Sequence, residues 1–250
     1  MLQLQEKDYE RLNRAPIEKG GVKIVLGPGT GHGQGYLVKS KFSQCYEVFP
    51  SEGGHVEFAP RDEQDLRLLT HGFDFIQNSN NVENLRGKAK IDRMSHERLG
   101  AGPAIPLIYE FMKKEYAQLD KIIETGEGAK QPDEINSHDV ITAAIEKKDP
   151  LCNKVLDKFS EIFAVQAGDT ALKFLPYGGV YLVGGVTMGI REKLLTDKTW
   201  INHFYNKGRL TNVMHRFPVM VLKPETELGI LGAEEVAYRL CGSFAVAAAQ

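Results

Sequence analysis

Three features that would assign a chain to a special class of protein are missing from this 250-residue sequence. No apolar run reaches the roughly 20 residues that a membrane-spanning helix needs. The first residues lack the basic and apolar regions of a secretory signal peptide. The net charge of −2 offers no excess of basic residues for nucleic acid or for an anionic membrane. We therefore expect a cytoplasmic protein with no membrane insertion and no nucleic-acid partner.

Cysteine is also scarce in the chain. Cys45, Cys152 and Cys241 are odd in number and widely spaced, which favours reduced thiols over a disulfide framework or a zinc ribbon. Apolar residues make up 42% and charged residues 26% of the sequence, as in an ordinary globular domain. We find no internal repeat, low-complexity segment or inter-domain linker, and we expect residues 1–250 to form a single domain.

Glycine is concentrated in a first turn at residues 27–33, which holds four glycines in seven residues. The apolar runs at residues 22–26 and 35–38 flank it, so the pattern predicts a β-hairpin. A Rossmann fingerprint would need a helix after the glycines, and a Walker loop would need Gly-Lys-Ser/Thr; neither is present. Successive backbone N–H groups in such a turn can still bind an anion, and Thr30 adds a hydroxyl donor. The alternative is a tight hairpin without a ligand.

A second glycine turn, at residues 51–55, lies between predicted strands at residues 45–50 and 56–58. Glu52 and His55 are three residues apart across its Gly-Gly pair, so both side chains can point into one pocket. A carboxylate accepts hydrogen bonds and a neutral imidazole both donates and accepts, which suits a polyol such as a sugar. The alternative is a solvated Glu–His pair. Two such residues are too few for a metal site.

The remaining pattern alternates helices and strands, which indicates an α/β fold with mixed strand pairing. In the helix predicted at residues 62–75, Leu66, Leu69 and Phe73 fall on one face. Loops are predicted at residues 78–90 and 125–132. Further strands are predicted at residues 178–186 and 217–222, and further helices at residues 6–12, from 102–103 to about 116, 136–146, 149–174, 190–195, 200–205 and 229–249.

Several motifs follow one another along nearly the whole chain. They are LGPGTGHG at residues 26–33, PSEGGHVEFAP at 50–60, SHERLGAGP at 95–103, GGVYLVGG at 178–185, KGR at 207–209 and ELGILGA at 227–233. Together they resemble the bacterial-type glucokinases of the sugar kinase/Hsp70/actin superfamily, whose members carry GxGTGLG, P-x-EGGH-x-x-FAP and S-x-E-R-x-x-S-G-x-G. The resemblance implies a ribonuclease H-like (actin-like ATPase) domain, a mixed sheet flanked by helices.

The same resemblance implies a set of binding residues. Glucose would be held by Glu52, His55 and Glu97. The phosphates of ATP, used with Mg²⁺, would be held by Gly29, Thr30 and Gly31, and the adenosine would lie near Gly184 and Gly185. The residues alone leave other interpretations open, because Glu97 and Arg98 can form a surface salt bridge and the Gly184-Gly185 pair can mark a strand-to-helix junction. His71, His96, His138, His203 and His215 receive no role.

The chain also departs from the family pattern. His32 stands where leucine is usual, and Ala101, Ala104 and Asp169 replace a serine, a glycine and a frequent asparagine. Neither the Asp-x-Gly-Gly-Thr phosphate hairpin nor the Asn-Asp-Phe motif that carries the general base is present in the 250 residues. The resemblance therefore covers the C-terminal large lobe, and we assign no catalytic residue and no protein ligand for a metal.

Three functions remain open from the sequence. The first is half of a glucokinase, which acts at the entry to glycolysis only with a partner chain that supplies or replaces the small lobe. The second is a non-catalytic scaffold subunit, and the third is a glucose or nucleotide sensor. The chain can also be a fragment of a longer product.

Overall fold

The computed structural model describes residues 4–42, 45–78, 92–119, 121–125, 128–131 and 134–247. Its centre is a six-stranded mixed sheet in the order β1-β6-β5-β2-β3-β4. The central strands β2, β5 and β6 run parallel, while β3, β4 and β1 are antiparallel to their neighbours. The strands are β1 Tyr9–Arg11, β2 Lys23–Pro28, β3 His32–Lys39, β4 Tyr46–Ser51, β5 Gly179–Leu182 and β6 Val219–Leu222.

Helices cover the sheet, and short 3-10 turns occur at Glu6–Asp8, Gly53–His55 and Gly208–Leu210. The expected α/β class with a mixed sheet flanked by helices is therefore correct. The α-helices are α1 Glu63–Asn78, α2 Glu97–Gly100, α3 Ala104–Glu115, α4 Ile122–Thr125, α5 Ser137–Ile145, α6 Pro150–Phe174, α7 Gly185–Gly189, α8 Arg191–Thr196, α9 Thr199–Tyr205, α10 Thr211–Met214 and α11 Leu228–Ala247.

Helix α6 is the main support beneath the sheet, and its prediction is confirmed. Asp149 caps its first turn by accepting the main-chain N–H of Cys152 at 2.9 Å, and Pro150 occupies the first helical position, where a missing N–H costs nothing. Its apolar residues at four-residue spacing are fully buried: Val155, Phe159, Phe163, Ala167 and Ala171. They join the main core, which also holds Ile24 and Leu26 from β2.

A smaller apolar cluster contains Tyr9, Tyr181, Met220 and Leu222, with Leu228 at the start of α11 packed against it. This cluster explains why the helix predicted at residues 6–12 is wrong. Only the 3-10 turn Glu6–Asp8 forms, and Tyr9 then pairs with Leu222 in the sheet. Pairing with a strand from the far end of the chain overrides the local preference of this segment.

Two predicted strands also need correction, and the bounds of the other predicted helices and strands agree closely with the structure. Residues 56–58 form no strand, because the 3-10 turn Gly53–His55 follows β4 and Glu57 makes only an isolated bridge to Ser95. The strand predicted at residues 178–186 ends at Leu182, before α7 begins. The loop predicted at residues 78–90 lies outside the described residues apart from Asn78, the last residue of α1. In the loop predicted at residues 125–132, Thr125 ends α4 and the described residues 128–131 form no helix or strand.

The predicted inner face of α1 is also wrong at one position. Leu66 is 54% exposed, whereas Asp65 is fully buried. Asp65 accepts from Lys158 at 3.0 Å and from Arg61 at 2.9 Å, and Glu161 completes the network at 2.6 Å from Arg61. A buried carboxylate needs such partners to offset its lost hydration, and they turn this face of α1 towards α6.

The outermost strand of the sheet on one side is β4. Its Val48 side chain is exposed and Pro50 lies within it. Arg239 of α11 donates to the Tyr46 carbonyl at 3.1 Å. Within the described residues, Cys45, Cys152 and Cys241 form no disulfide bond with one another, and no helix is long and apolar enough to cross a membrane.

Replacement of Asp149 by alanine tests the support of α6. The buried carboxylate also accepts the main-chain N–H of Ile123 at 3.0 Å, so Asp149→Ala leaves two buried donors unpaired. We expect the free energy of unfolding to fall by about 2–4 kcal/mol in urea denaturation. Asp149→Asn keeps one accepting oxygen and should lose about half as much; equal stability of Asp149→Ala and the parent would contradict this role.

Candidate sugar and phosphate site

Three segments meet at the tip of the β2–β3 hairpin. The strand register pairs Gly27 with Gly33 and Pro28 with His32, which leaves Gly29, Thr30 and Gly31 as the connecting residues, called here the glycine turn. The 3-10 turn Gly53–His55 and the first residue of α2 lie beside it. This arrangement brings Glu52, His55 and Glu97 together, called here the Glu–His–Glu cluster.

Glu97 joins the cluster to the glycine turn. Its Oε2 accepts the main-chain N–H of His32 at 2.7 Å. A Cβ atom at Gly31 would lie 2.7 Å from the same oxygen, so a side chain there would displace the Glu97 carboxylate. Glycine at position 31 therefore lets the carboxylate lie directly against the end of the turn.

His55 lies between the two carboxylates of the cluster. Its Nδ1 is 3.8 Å from Oε1 of Glu97, and its Nε2 is 3.7 Å from Oε2 of Glu52. These separations exceed hydrogen-bond lengths, so the polar atoms keep capacity for a ligand. Glu52 is 92% exposed, whereas Glu97 is mostly covered. The cluster thus presents acceptors and an imidazole to solvent in one place, as binding of a polyhydroxyl ligand requires.

The Gly-Gly pair allows the 3-10 turn to lie directly on β3. A Cβ atom at Gly54 would overlap the carbonyl oxygen of His32, and one at Gly53 would overlap the amide oxygen of Gln34. Gln166 of α6 donates its Nε2 to the Gly53 carbonyl at 2.7 Å. Side chains and backbone therefore hold the turn on both sides, and they set the direction of Glu52 and His55.

One side of the glycine turn is hydrogen-bonded to the domain, and the other side is open. Gly29 accepts from the Gly102 N–H at 2.8 Å, and a Cβ atom at Gly29 would meet nothing within 4 Å. Within the described part of the chain, the N–H groups of Thr30 and Gly31 have no hydrogen-bond partner. Exposed backbone donors in a glycine turn fit an anion such as a phosphate.

Gly184 and Gly185 lie next to this turn at the end of β5. Gly184 has φ +92°, and a Cβ atom there would be 2.6 Å from the Pro28 carbonyl oxygen. This position therefore accepts only glycine. Gly185 has open space at its Cβ position. The structure thus brings together both glycine groups that were expected at ATP, although their roles remain predictions.

Two buried histidines lie behind the cluster. The rings of His32 and His96 meet edge to face at 5.0 Å between centroids, and Nδ1 of His32 is 2.9 Å from the Gly100 carbonyl oxygen. Burial lowers the pKa of His32, and it lowers the pKa of His96 well below the ordinary value. We assigned His96 no role from the sequence, although its place directly before Glu97 was a usable signal.

A metal site does not fit the acidic side chains that lie close together. Among the described residues, Asp62, Asp65 and Glu161 are close enough to share an ion. However, the buried ammonium of Lys158 is 3.0 Å from Asp65 and 2.8 Å from Glu161, so a cation is already present. We therefore assign this acidic group a structural role and not a role in metal binding.

Comparison with known proteins identifies the family of this chain. The family model described as Glucokinase matches residues 1–240. The chain belongs to the glucokinase family. It is 36% identical to the glucokinase of Nostoc punctiforme over 246 residues, which cover 95% of this chain and 67% of that protein. The Synechocystis glucokinase is 34% identical over 93% of this chain and 63% of its own length.

Solved structures show the same fold. A glucokinase from an Antarctic psychrotroph matches 89% of this chain with a TM-score of 0.67 and 23% identity. The Balamuthia mandrillaris glucokinase, solved in complex with glucose, matches 93% with a TM-score of 0.70 and 16% identity. The chain spans 60% and 59% of these two proteins. The family assignment and the actin-like ATPase fold are thus confirmed for a chain that covers about two thirds of its relatives.

Gly54→Ala tests the close packing of the 3-10 turn. The added methyl group must push the turn away from the His32 carbonyl, and we expect a loss of about 1–3 kcal/mol in the free energy of unfolding. Gly29→Ala is the matched control because its Cβ position is open, and it should change stability by less than about 0.5 kcal/mol. Equal losses in both variants would show that the contact does not matter.

The paired histidines predict sensitivity to acid. Their folded-state pKa values lie below the unfolded value of about 6.5. As the pH falls below about 6.5, the unfolded chain takes up protons that the folded protein resists, so stability is lost. Thermal melting measured between about pH 7.5 and 5 should show a falling Tm, and His32→Leu should have a smaller fall. A larger fall in His32→Leu would contradict the assignment.

Proposed function

We propose that this chain is the glucose-binding and ATP-phosphate-binding lobe of a glucokinase, which transfers the γ-phosphoryl group of ATP to the 6-hydroxyl of glucose only when a complementing polypeptide is present. The observation that carries this proposal is the position of Glu97. One carboxylate oxygen lies against the glycine turn and the other faces His55. The Glu–His–Glu cluster and the glycine turn, two binding groups of different chemistry, therefore lie side by side. Phosphoryl transfer between two bound substrates requires such proximity.

The sugar would be held by the Glu–His–Glu cluster. Glu52 and Glu97 would accept hydrogen bonds from sugar hydroxyls, and His55 would donate one and accept one. Such bonds to ionised carboxylates are stronger than bonds between neutral groups. Because the His32 N–H holds the Glu97 carboxylate before the sugar arrives, less ordering of this side chain remains to oppose binding.

The nucleotide would be held by backbone groups. The N–H groups of Thr30 and Gly31 and the Thr30 hydroxyl would bind phosphate oxygens, and Gly184 and Gly185 would border the adenosine. ATP with Mg²⁺ supplies the phosphoryl group and neutralises part of its charge when bound. The metal would enter on the nucleotide, since the acidic group around Asp65 does not fit it.

The catalytic base is the part that this chain does not provide. The 250 residues contain no Asn-Asp-Phe motif, and a positioned base contributes roughly 10²–10⁴-fold to a proton transfer. We infer that a partner chain supplies this base together with the missing phosphate hairpin. Exposed apolar side chains on α11 support such a partner, namely Ile230, Val236, Tyr238 and Leu240.

Glucose binding to the chain alone tests the sugar site. Glu97→Gln removes the charge that faces both His55 and the His32 N–H, and we expect the dissociation constant for glucose to rise about 10- to 100-fold in isothermal titration calorimetry. Glu192→Gln, an exposed change in α8, is the matched control and should bind as the parent does. A parent protein that takes up no glucose would overturn the proposal.

Complementation with the small lobe tests the partner. The chain would be co-purified with the N-terminal third of the Nostoc punctiforme glucokinase, and glucose-dependent ADP release would be followed in a coupled assay. We expect no turnover by either piece and measurable turnover by the pair. Turnover by the chain alone would refute the need for a partner. No turnover by the pair, with both pieces folded and associated, would refute the kinase assignment.

A further inference from the structure

His32 contacts both segments that carry the candidate sugar site, the 3-10 turn and α2. Its main-chain N–H binds Glu97, and its carbonyl oxygen lies under Gly54 of the 3-10 turn. Its imidazole reaches the last residue of α2, with Nδ1 at 2.9 Å from the Gly100 carbonyl oxygen. The backbone contacts are available to any residue at this position. The bond to the Gly100 carbonyl needs a side chain that can donate a hydrogen bond.

Helix α2 needs such a bond because it is only one turn long. A helix of four residues has no stability of its own, because the free energy needed to form the first turn exceeds what one turn of hydrogen bonds contributes. Its position must therefore come from contacts with the rest of the domain. At its start, His96 donates its main-chain N–H to the Val56 carbonyl at 2.7 Å. At its end, the Gly100 carbonyl is bound by His32.

The surroundings of His32 hold the ring in one orientation. The side chain is 4% exposed, and the rings of His96 and Phe163 pack against it at 5.0 and 5.7 Å between centroids. A carbonyl oxygen accepts only, so the proton of the neutral ring is on Nδ1. Its Nε2 is buried without a hydrogen-bond partner among the described residues, a cost that an apolar residue would avoid.

We propose that His32 is a positioning residue of the sugar site, whose Nδ1–H bond to Gly100 holds α2 so that the Glu97 carboxylate stays directed at a bound sugar. This inference rests on the proposed function. The two bonds of His32 act on α2 together: the backbone N–H fixes the Glu97 side chain, and the ring fixes the helix that carries it. Without the ring bond, the end of α2 moves and Glu97 samples other directions.

The test compares replacements that keep or remove the donor. His32→Leu and His32→Phe fill the space without an N–H group. The side-chain amide of His32→Asn can donate from nearly the position of Nδ1. Glucose affinity is measured by isothermal titration calorimetry, and thermal melting is recorded for each variant. His71→Leu, which changes a partly buried histidine on α1 that packs on Phe111, is the matched control.

We expect His32→Leu and His32→Phe to weaken glucose binding about tenfold, as loss of one positioned hydrogen bond predicts. His32→Asn should stay within about threefold of the parent, and His71→Leu should be unchanged. A general packing role would lower the Tm of all three His32 variants but would not restore affinity in His32→Asn alone. That rescue separates positioning from stability.

Other outcomes would overturn the inference. Unchanged glucose affinity in folded His32→Leu or His32→Phe would refute the positioning role and leave the proposed function intact. Equal losses of affinity in the apolar variants and in His32→Asn would show that the ring bond is not the cause. A parent protein without glucose binding would overturn the proposed function and this inference with it.

Discussion

The hydrogen bond from the His32 backbone to Glu97 is the contact on which the candidate site depends. It joins α2 to the first residue of β3 at 2.7 Å, and it places a carboxylate against Gly31, where a side chain would displace it. Gly54 of the 3-10 turn packs on the carbonyl oxygen of His32. The backbone N–H and carbonyl groups of His32 thus set the relative positions of the Glu–His–Glu cluster and the glycine turn.

This precision is possible because the supporting layer is rigid. Helix α6 is 25 residues long and mostly buried, and it reaches the site through Gln166, which holds Gly53, and through Phe163, which packs on His32. The buried network of Asp65 and Lys158 connects the same helix to α1. The backbone of the 3-10 turn and the ring of His32 are therefore held from beneath by close-packed residues, which leaves them little freedom to relax.

The sequence predicted those parts of the molecule that local rules decide. The β2–β3 hairpin and α6 follow from their own glycines, caps and apolar spacing, and the Glu52–His55 pair is local as well. Strand β1 was missed because Tyr9 pairs with Leu222, and Leu66 was misplaced because Asp65 pairs with Lys158 on another helix. The contact between the His32 and His96 rings also depends on the folded chain, and no periodic pattern in the sequence predicts it.

The outer edge of β4 has a consequence for self-association. An edge strand with free N–H and C=O groups is a template on which further strands can add, which is the start of fibrous aggregation. Pro50 removes one donor from this edge, and Arg239 occupies the Tyr46 carbonyl. The two residues interrupt the row of free backbone groups near opposite ends of the strand, so this edge is a poor template for polymer growth.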